Sequence, residues 1–519
     1  MPSDSGRTTS VWMATAEVPS YAPLAEDLDA DVCVVGAGIA GLTVAYTLAR
    51  AGKRVVVLDD GPVGGGETGR TTAHITAALD DRYYAIESMH GAGGARLAAE
   101  SHDAAIARIA EIVRAESIAC DFERVDGYLF LHAGDDPAEL DRELEAAHRA
   151  GLDAVSRLAR VPLDFHDFGP CLRFPRQAQF HVLKYLSGLC RAIVRDGGRI
   201  YSGSHVTEIA SGKDADGRTR VKTEAGRTVR ADALVIATNS PINDWVKMHT
   251  KQAAYRTYVI GVRVPKGSVP HGLYWDTADP YHYVRLQGGA APTLQGDEGY
   301  DVLIIGGEDH KTGQGGDTEA ERFRRLEEWT RARFPMATSV DYRWSGQVME
   351  PVDYMGFIGK NPGDARVYIA TGDSGNGMTH GTIAGTLIPD LILGRDNPWA
   401  KLYDPSRISL KAAPEFAKEN LNVAAQYRDY VTPGEVKSAD EVKPGEGAVL
   451  RRGAKKVAVY RDESGTLHER SAVCPHLYCV VDWNGVEKTW DCPCHGSRFD
   501  RYGKVINGPA AADLGAVEG

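Results

Sequence analysis

Two short loops near the C-terminal end constrain this chain more than any other feature. Cys474-Pro475-His476 is followed, after fifteen residues, by Cys492-Pro493-Cys494-His495-Gly496-Ser497. Each loop offers one thiolate and one imidazole, so Cys474, His476, Cys492 and His495 can converge on one small inorganic core. Two Cys and two His also make a zinc set, but zinc sites usually keep the Cys together and the His together. The alternation Cys-His then Cys-His, with Gly-Ser following, instead suits a [2Fe–2S] cluster in which one iron takes two Cys and the other two His.

These loops resemble the Rieske iron-sulfur family. The resemblance implies a disulfide between the additional Cys479 and Cys494, and it makes Gly508-Pro509-Ala510 similar to the proline loop that covers the cluster. Ser497 is placed to donate a hydrogen bond to a cluster sulfur, which stabilises the more negative reduced state. Respiratory members add a Tyr hydroxyl two positions later, where this chain has Phe499. The expected potential therefore lies below the top of the roughly −150 to +300 mV Rieske range. From Thr432 onward, short apolar runs punctuated by Pro-Gly and Gly-Glu-Gly predict a small all-β domain.

With 519 residues the chain has room for about three domains. A formal charge of −12 provides no basic stripe for a phosphate backbone, which argues against nucleic-acid partners. The N-terminal stretch has no apolar leader, and no segment approaches the roughly 18 apolar residues of a membrane helix. A cytoplasmic protein without a membrane span is expected. Cys33, Cys120, Cys171 and Cys190 are scattered and read as buried thiols rather than a secreted disulfide framework.

From Ala30 the chain reads ADVCVVGAGIAGLTVAYTLARAGKRVVVLDD, a strand, a Gly-rich turn, an apolar-periodic helix and a second strand. Gly36 permits the tight turn, Gly38 lets the backbone approach a pyrophosphate, and Gly41 allows close helix-strand packing. The helix N-terminus offers N–H groups to phosphates, and Asp59 is placed for the ribose hydroxyls. No second complete G-x-G-x-x-G follows, so a separate NAD(P)H domain is not expected. Val367–Thr379 forms another strand and Gly-rich turn opening a helix, bringing Gly372, Asp373, Gly375, Gly377, Met378 and Thr379 toward a flavin.

Taken with the segment Thr228–Asn239, residues 28 to 405 resemble the D-amino-acid oxidase/glycine oxidase superfamily, whose members oxidise C–N bonds of amines and amino acids at FAD. The resemblance implies further FAD contacts at Val206, Ala237 and Thr238, and at Arg70, Thr71, Thr72 and His74 in a loop beneath the flavin. Some dimethylglycine-type relatives join the corresponding His covalently to the flavin; a noncovalent contact and a buried core histidine are the alternatives for His74. β-branched and aromatic runs over about 240 to 355 predict an antiparallel substrate-side sheet. Tyr258, Tyr283, Trp344 and Gln347 are candidate substrate residues. Where the family often has a cation for a substrate carboxylate, this chain has Gln347, which puts an α-carboxylate substrate in question.

The expected fold class is therefore α/β, an FAD-binding Rossmann-like domain with an antiparallel substrate sheet (1–410), then a linker and helix (411–430) and a small all-β Rieske domain (431–519). The chain is similar over nearly its whole length to fusions of these two units. The function implied is an FAD-dependent oxidoreductase, a dehydrogenase more than an oxidase. An amine or amino-acid-like substrate reduces FAD, and single electrons leave through the cluster to an external carrier such as a ferredoxin or cytochrome. The reverse direction, or an electron-transfer or redox-sensing module without its own substrate, is the alternative. A Rieske oxygenase would need two His and a carboxylate on an open face, and no such close spacing occurs in the first domain. Efficient transfer requires an imidazole edge of His476 or His495 to approach the flavin or a partner.

Overall fold

The computed structural model describes residues 6–210, 217–242, 248–289, 299–314 and 317–517. Parts of the 240–355 segment assigned above to the substrate-side sheet, together with residues 1–5, lie outside the described residues.

The first sheet grows from the apolar runs of the dinucleotide motif. Leu28–Val35 and Val55–Leu58 are nearly continuous stretches of buried Val, Cys and Leu, the composition of strands covered on both faces. They join Arg199–Tyr201, Thr228–Ile236 and Val367–Thr371 in parallel, and Phe357–Lys360 closes the edge in antiparallel sense. Helices Ile39–Arg50 and Gly377–Ile392 pack face to face because Gly381 and Gly385 leave no side chain between them. A Cβ on Gly385 would lie 2.2 Å from Thr43 Cγ2. Both helices start at the C-terminal ends of parallel strands, so their N–H groups point toward one crevice.

The second sheet has nine strands and is wider than the sequence suggests. Gln252–Pro265, Leu273–Asp276, Tyr283–Gln287, Tyr300–Lys311 and Val340–Pro351 form the expected antiparallel part. Earlier segments complete it: His74–Ile75, Glu123–Phe130, Ser156–Leu158 and Cys171–Gln179. One pairing, Glu123–Phe130 with Leu273–Asp276, is parallel. Those partners lie more than a hundred residues apart in sequence, so no local pattern announces them.

The C-terminal unit consists of two antiparallel sheets, one from Glu446–Arg452, Lys455–Arg461 and Leu467–Ser471, the other from Asp482–Asn484, Thr489–Asp491, Arg498–Asp500 and Val505–Asn507. Its core gathers Trp490, Phe499 and Val481 around the four cysteines of the loops. Helix Ala413–Gln426 precedes it and ties the two units together. Lys311 pairs with Glu419, and the Gln314 amide donates to both Asn422 and the Pro493 carbonyl. Tyr427 and Tyr430 donate to the carbonyls of Leu477 and Tyr478. No helix among the described residues is long and apolar enough to cross a membrane.

Candidate functional site

One large cavity runs from the Gly-rich turn of the first strand to the second sheet. At its inner end Gly36 has φ +108°, and a Cβ there would lie 2.3 Å from the Ala237 carbonyl oxygen. Only glycine fits this turn. Gly38 caps the helix that starts at Ile39, and Thr68 Oγ1 accepts from the Ile39 N–H at 3.1 Å. Asp59 accepts from the N–H groups of Ala37 and Gly61; burial, then Asp60, pushes its carboxyl up to about 7. An acid at this place, beside a bare backbone turn, is suited to ribose hydroxyls and a pyrophosphate.

Gly36, Gly38, Asp59, Arg70, Thr71, Thr72, His74, Val206, Ala237, Thr238, Gly372, Asp373, Gly375, Gly377 and Met378 all line this cavity. Gly41 and Thr379 do not. A Cβ on Gly41 would meet the Gly36 carbonyl at 1.9 Å, so its part is helix-strand packing, and the Thr379 hydroxyl bonds the buried His102 at 2.8 Å. Arg70 contributes its backbone side, while its guanidinium turns away toward the C-terminal unit. His74 Nδ1 lies 3.0 Å from Thr72 Oγ1, its Nε2 is buried without a hydrogen-bond partner, and burial, then Arg285, holds the ring neutral with its pKa lowered to about 3. An acceptor or donor position left open in a cavity wall is what a bound ring system would fill. The bare turn, the acid and this open nitrogen all fit FAD.

Of the four candidate substrate residues, Tyr283 and Gln347 line the cavity. Tyr258 does not: Thr257 and Val259 face the cavity, and strand alternation turns Tyr258 to the opposite face, where it packs on His310 and Phe323. Trp344 is fully buried beneath the turn Glu67–Arg70, its indole N–H donating to the Arg70 carbonyl at 2.8 Å. Residues not anticipated from the sequence share the wall, chiefly Asp80, Tyr281, Asp309 and Glu350.

The cluster loops come together as the spacing requires. The thiols of Cys474 and Cys492 are neighbours; hydrogen bonding from Cys492 holds Cys474 down, and Cys492 is pushed up in return. The rings of His476 and His495 stand 5.1 Å apart, edge to face. His495 Nδ1 is buried without a partner, and burial, then His476 and His249, lowers that ring to about 3. Two adjacent thiols, two adjacent imidazoles and an open ring nitrogen fit a [2Fe–2S] cluster bound by two Cys and two His. Cys479 and Cys494 form the disulfide between the loops. The sulfurs of Cys479, Cys492 and Cys494 also lie close together, but two of them are consumed by that bond. Ser497 bonds the Cys474 thiol and accepts from the Ala510 N–H at 3.0 Å.

The two histidines face into the protein rather than solvent. His249, from the flavin-side unit, packs 4.8 Å from His476 and 6.2 Å from His495, and both ligand rings are buried. Gly496, between ligand and Ser497, has φ +76°, and a Cβ there would lie 2.4 Å from that of Ala254. Gln347 crosses the boundary: its N–H donates to Glu67 at the cavity, and its side-chain amide donates to the Gly496 carbonyl at 3.0 Å. Asn507 reaches the same Glu67 carboxylate, and Val505 to Gly508 with Ala510 form part of the cavity wall.

Behind the sheet lies a buried ionic knot. The Glu487 carboxylate meets Arg70 at 3.2 Å and Arg256 at 3.4 Å, and Arg498 pairs with Asp491 at 3.1 Å. Burial pushes Glu487 up, but Arg70, Arg256 and Arg498 outweigh it and hold the carboxyl at about 2. The N-terminal segment is threaded through this knot. Thr8 donates to Glu487, Gly6 and Thr8 carbonyls accept from Arg70, Ser10 donates to the Gly69 carbonyl and Trp12 to that of Thr71. No local pattern announces these partners, because each belongs to a different region of the chain.

Two family models match separate parts of the chain. Residues 31–391 match the family described as FAD dependent oxidoreductase, and residues 432–518 match the Rieske [2Fe-2S] domain. YhfW of Bacillus subtilis (strain 168), named as a Rieske 2Fe-2S iron-sulfur protein, is 32% identical over 517 residues, covering 98% of this chain and 97% of that protein. Gamma-glutamylputrescine oxidoreductase of Escherichia coli (strain K12) is 28% identical over 75% of this chain and 89% of its own length. The crystal structure of glycine oxidase from Geobacillus kaustophilus superposes with a TM-score of 0.61 at 18% identity, covering 73% of this chain and 99% of that one, a likeness of fold.

Proposed function

This chain belongs to the FAD dependent oxidoreductase family, with a Rieske [2Fe-2S] domain joined to it, and we propose that it oxidises the C–N bond of an amine or amino-acid-like substrate and passes the electrons singly to an external carrier, as a dehydrogenase. When bound, FAD supplies acceptance of a hydride equivalent and the cluster supplies one-electron exchange. The observation that carries the reading is the Gln347 bridge: one residue contributes to the cavity wall and hydrogen-bonds the cluster loop beside His495. The Escherichia coli relative is named for gamma-glutamylputrescine, an amine, and the Geobacillus kaustophilus structure for glycine, and both names support the substrate class.

The chain's own groups have identifiable tasks. Thr257, Trp275, Tyr281 and Tyr283 wall the reacting end and exclude water. Asp309, pushed up to about 7 by burial, can take at Oδ1 the proton an ammonium must lose before its C–N bond is oxidised. Gln347 and Glu67 hold the cluster loop against the cavity. Mixing the oxidised holoprotein anaerobically with a panel of amines and amino acids, and following flavin bleaching and the cluster's electron paramagnetic resonance signal together, tests the proposal. Both centres should become reduced by the same substrate. Bleaching with a cluster that stays oxidised on the timescale of turnover overturns the route.

A further inference from the structure

The substrate end of the cavity is lined by carboxylates with little to balance them. Asp80, Asp309 and Glu350 line the cavity beside the tyrosines, and Asp373 stands next to them at the flavin-side turn. Asp309 Oδ1 is buried without a hydrogen-bond partner, and among the described residues the Glu350 carboxyl makes no hydrogen bond or ion pair, while its backbone lies in the ladder opposite Ala253. Burial and mutual repulsion push Glu350 well up, with Asp81, Asp309, Asp80 and Asp373 each adding to the effect.

The nearby cations are committed elsewhere. Arg70 is held by Glu487, Arg285 donates to the carbonyls of Ala73 and Phe180 and to Gln287, and Arg82 caps the carbonyls of Leu79 and Asp80. His74 and His380 are kept neutral by burial, and His205 pairs with Asp60 at the ribose end. Two aromatic rings stand among the acids: Tyr281 and Tyr283 lie 5.3 Å apart, with the Tyr281 hydroxyl donating to Asp80 at 2.7 Å and the Tyr283 hydroxyl bonded to Thr257. Ring faces attract ammonium groups, and desolvation strengthens that attraction. Among the described residues these acids are raised together beside tyrosine rings, so an entering ammonium group can draw their protons off and be held by the carboxylates it creates, while a carboxylate finds no counter-charge there.

We propose that this wall is a subsite for a second positive charge, so that the substrate is a diamine or polyamine whose reacting nitrogen sits at Asp309 and whose distal ammonium lies against Glu350, Asp80 and the Tyr281 and Tyr283 rings. The inference rests on the amine-oxidation reading for the cavity's role, and it goes further by excluding a plain α-amino acid as the preferred substrate. Chain length and branching between the two nitrogens are then selected by the span from Asp309 to Glu350.

Calorimetric titration of the holoprotein, chemically reduced beforehand so that no turnover occurs, separates binding from chemistry. 1,4-Diaminobutane is expected to bind at least about ten-fold more tightly than 1-aminobutane, and glycine more weakly than either. Glu350→Gln should bring the diamine and monoamine to within about three-fold of each other. Asp309→Asn serves as a second variant should the first fail to fold. Equal affinity for diamine and monoamine, or tighter binding of glycine, overturns the subsite. Anaerobic flavin bleaching by the same compounds tells the two readings apart. Monoamine bleaching without diamine preference leaves the amine oxidation standing and removes the subsite; diamine preference without bleaching by any amine does the reverse.

Discussion

Replacing Glu487 by glutamine keeps the shape of a buried side chain and removes a negative charge that both Arg70 and Arg256 meet. All three groups are at most 1% exposed, so solvent cannot take over the lost interaction. A carboxyl held at about 2 in the folded chain, against about 4.3 for an unfolded glutamate, corresponds to about 3 kcal/mol of stabilisation. That agrees with the roughly 3–5 kcal/mol seen when one partner of a buried ion pair is removed. Because the folded value is depressed, this stabilisation is complete above the unfolded value and is lost as pH falls toward about 2. Scanning calorimetry of the holoprotein at neutral pH should show Glu487→Gln lowering the transition of the joined units by about 3 °C. The gap between variant and parent should close as the pH is taken from 5 to 2. Glu446→Gln, at a pair whose carboxylate is 44% exposed, should cost less than about 1 kcal/mol. A Glu487→Gln variant that melts with the parent at neutral pH would refute the claim that this knot fastens the units together.

Three further outcomes are expected. Gly36→Ala should yield protein without bound FAD, because the added methyl meets the Ala237 carbonyl and the backbone stays at φ +108°; a full complement of flavin by absorbance contradicts this. Cys492→Ser should remove iron while leaving FAD in place, and iron analysis beside the flavin spectrum checks both halves. Phe499→Tyr, which adds a hydroxyl in the core that packs around Cys474 and Cys492, should raise the cluster midpoint by on the order of tens of mV in a redox titration; an unchanged or lower midpoint counts against the missing-donor argument.

What the sequence discloses follows the range of the interactions involved. The Gly36–Asp59 unit closes on itself within thirty residues, so periodicity and turn chemistry suffice to read it. The cluster loops announce themselves because metal chemistry dictates residue types. Tyr258 turns on parity alone: a strand of known position still has two faces, and one residue of register decides which one lines the cavity. Trp344 lies on the cavity face but under the Glu67–Arg70 turn, a cover supplied from far along the chain. Glu350, Asp309 and His249 carry no local pattern at all. Their significance arises when strands separated by long stretches become neighbours, as Arg256 and Gln347 do in register. The N-terminal segment is the extreme case, since nothing in Thr8 or Ser10 hints at partners near residues 70 and 487.

The packing of His249 onto His476 and His495 has a mechanical meaning. A Rieske head that swings between donor and acceptor must bare its imidazole tip at each stop. Here that tip is plugged into its own polypeptide, so on the proposed route an outside acceptor would meet the loop at its flank, where Tyr478 is open to solvent.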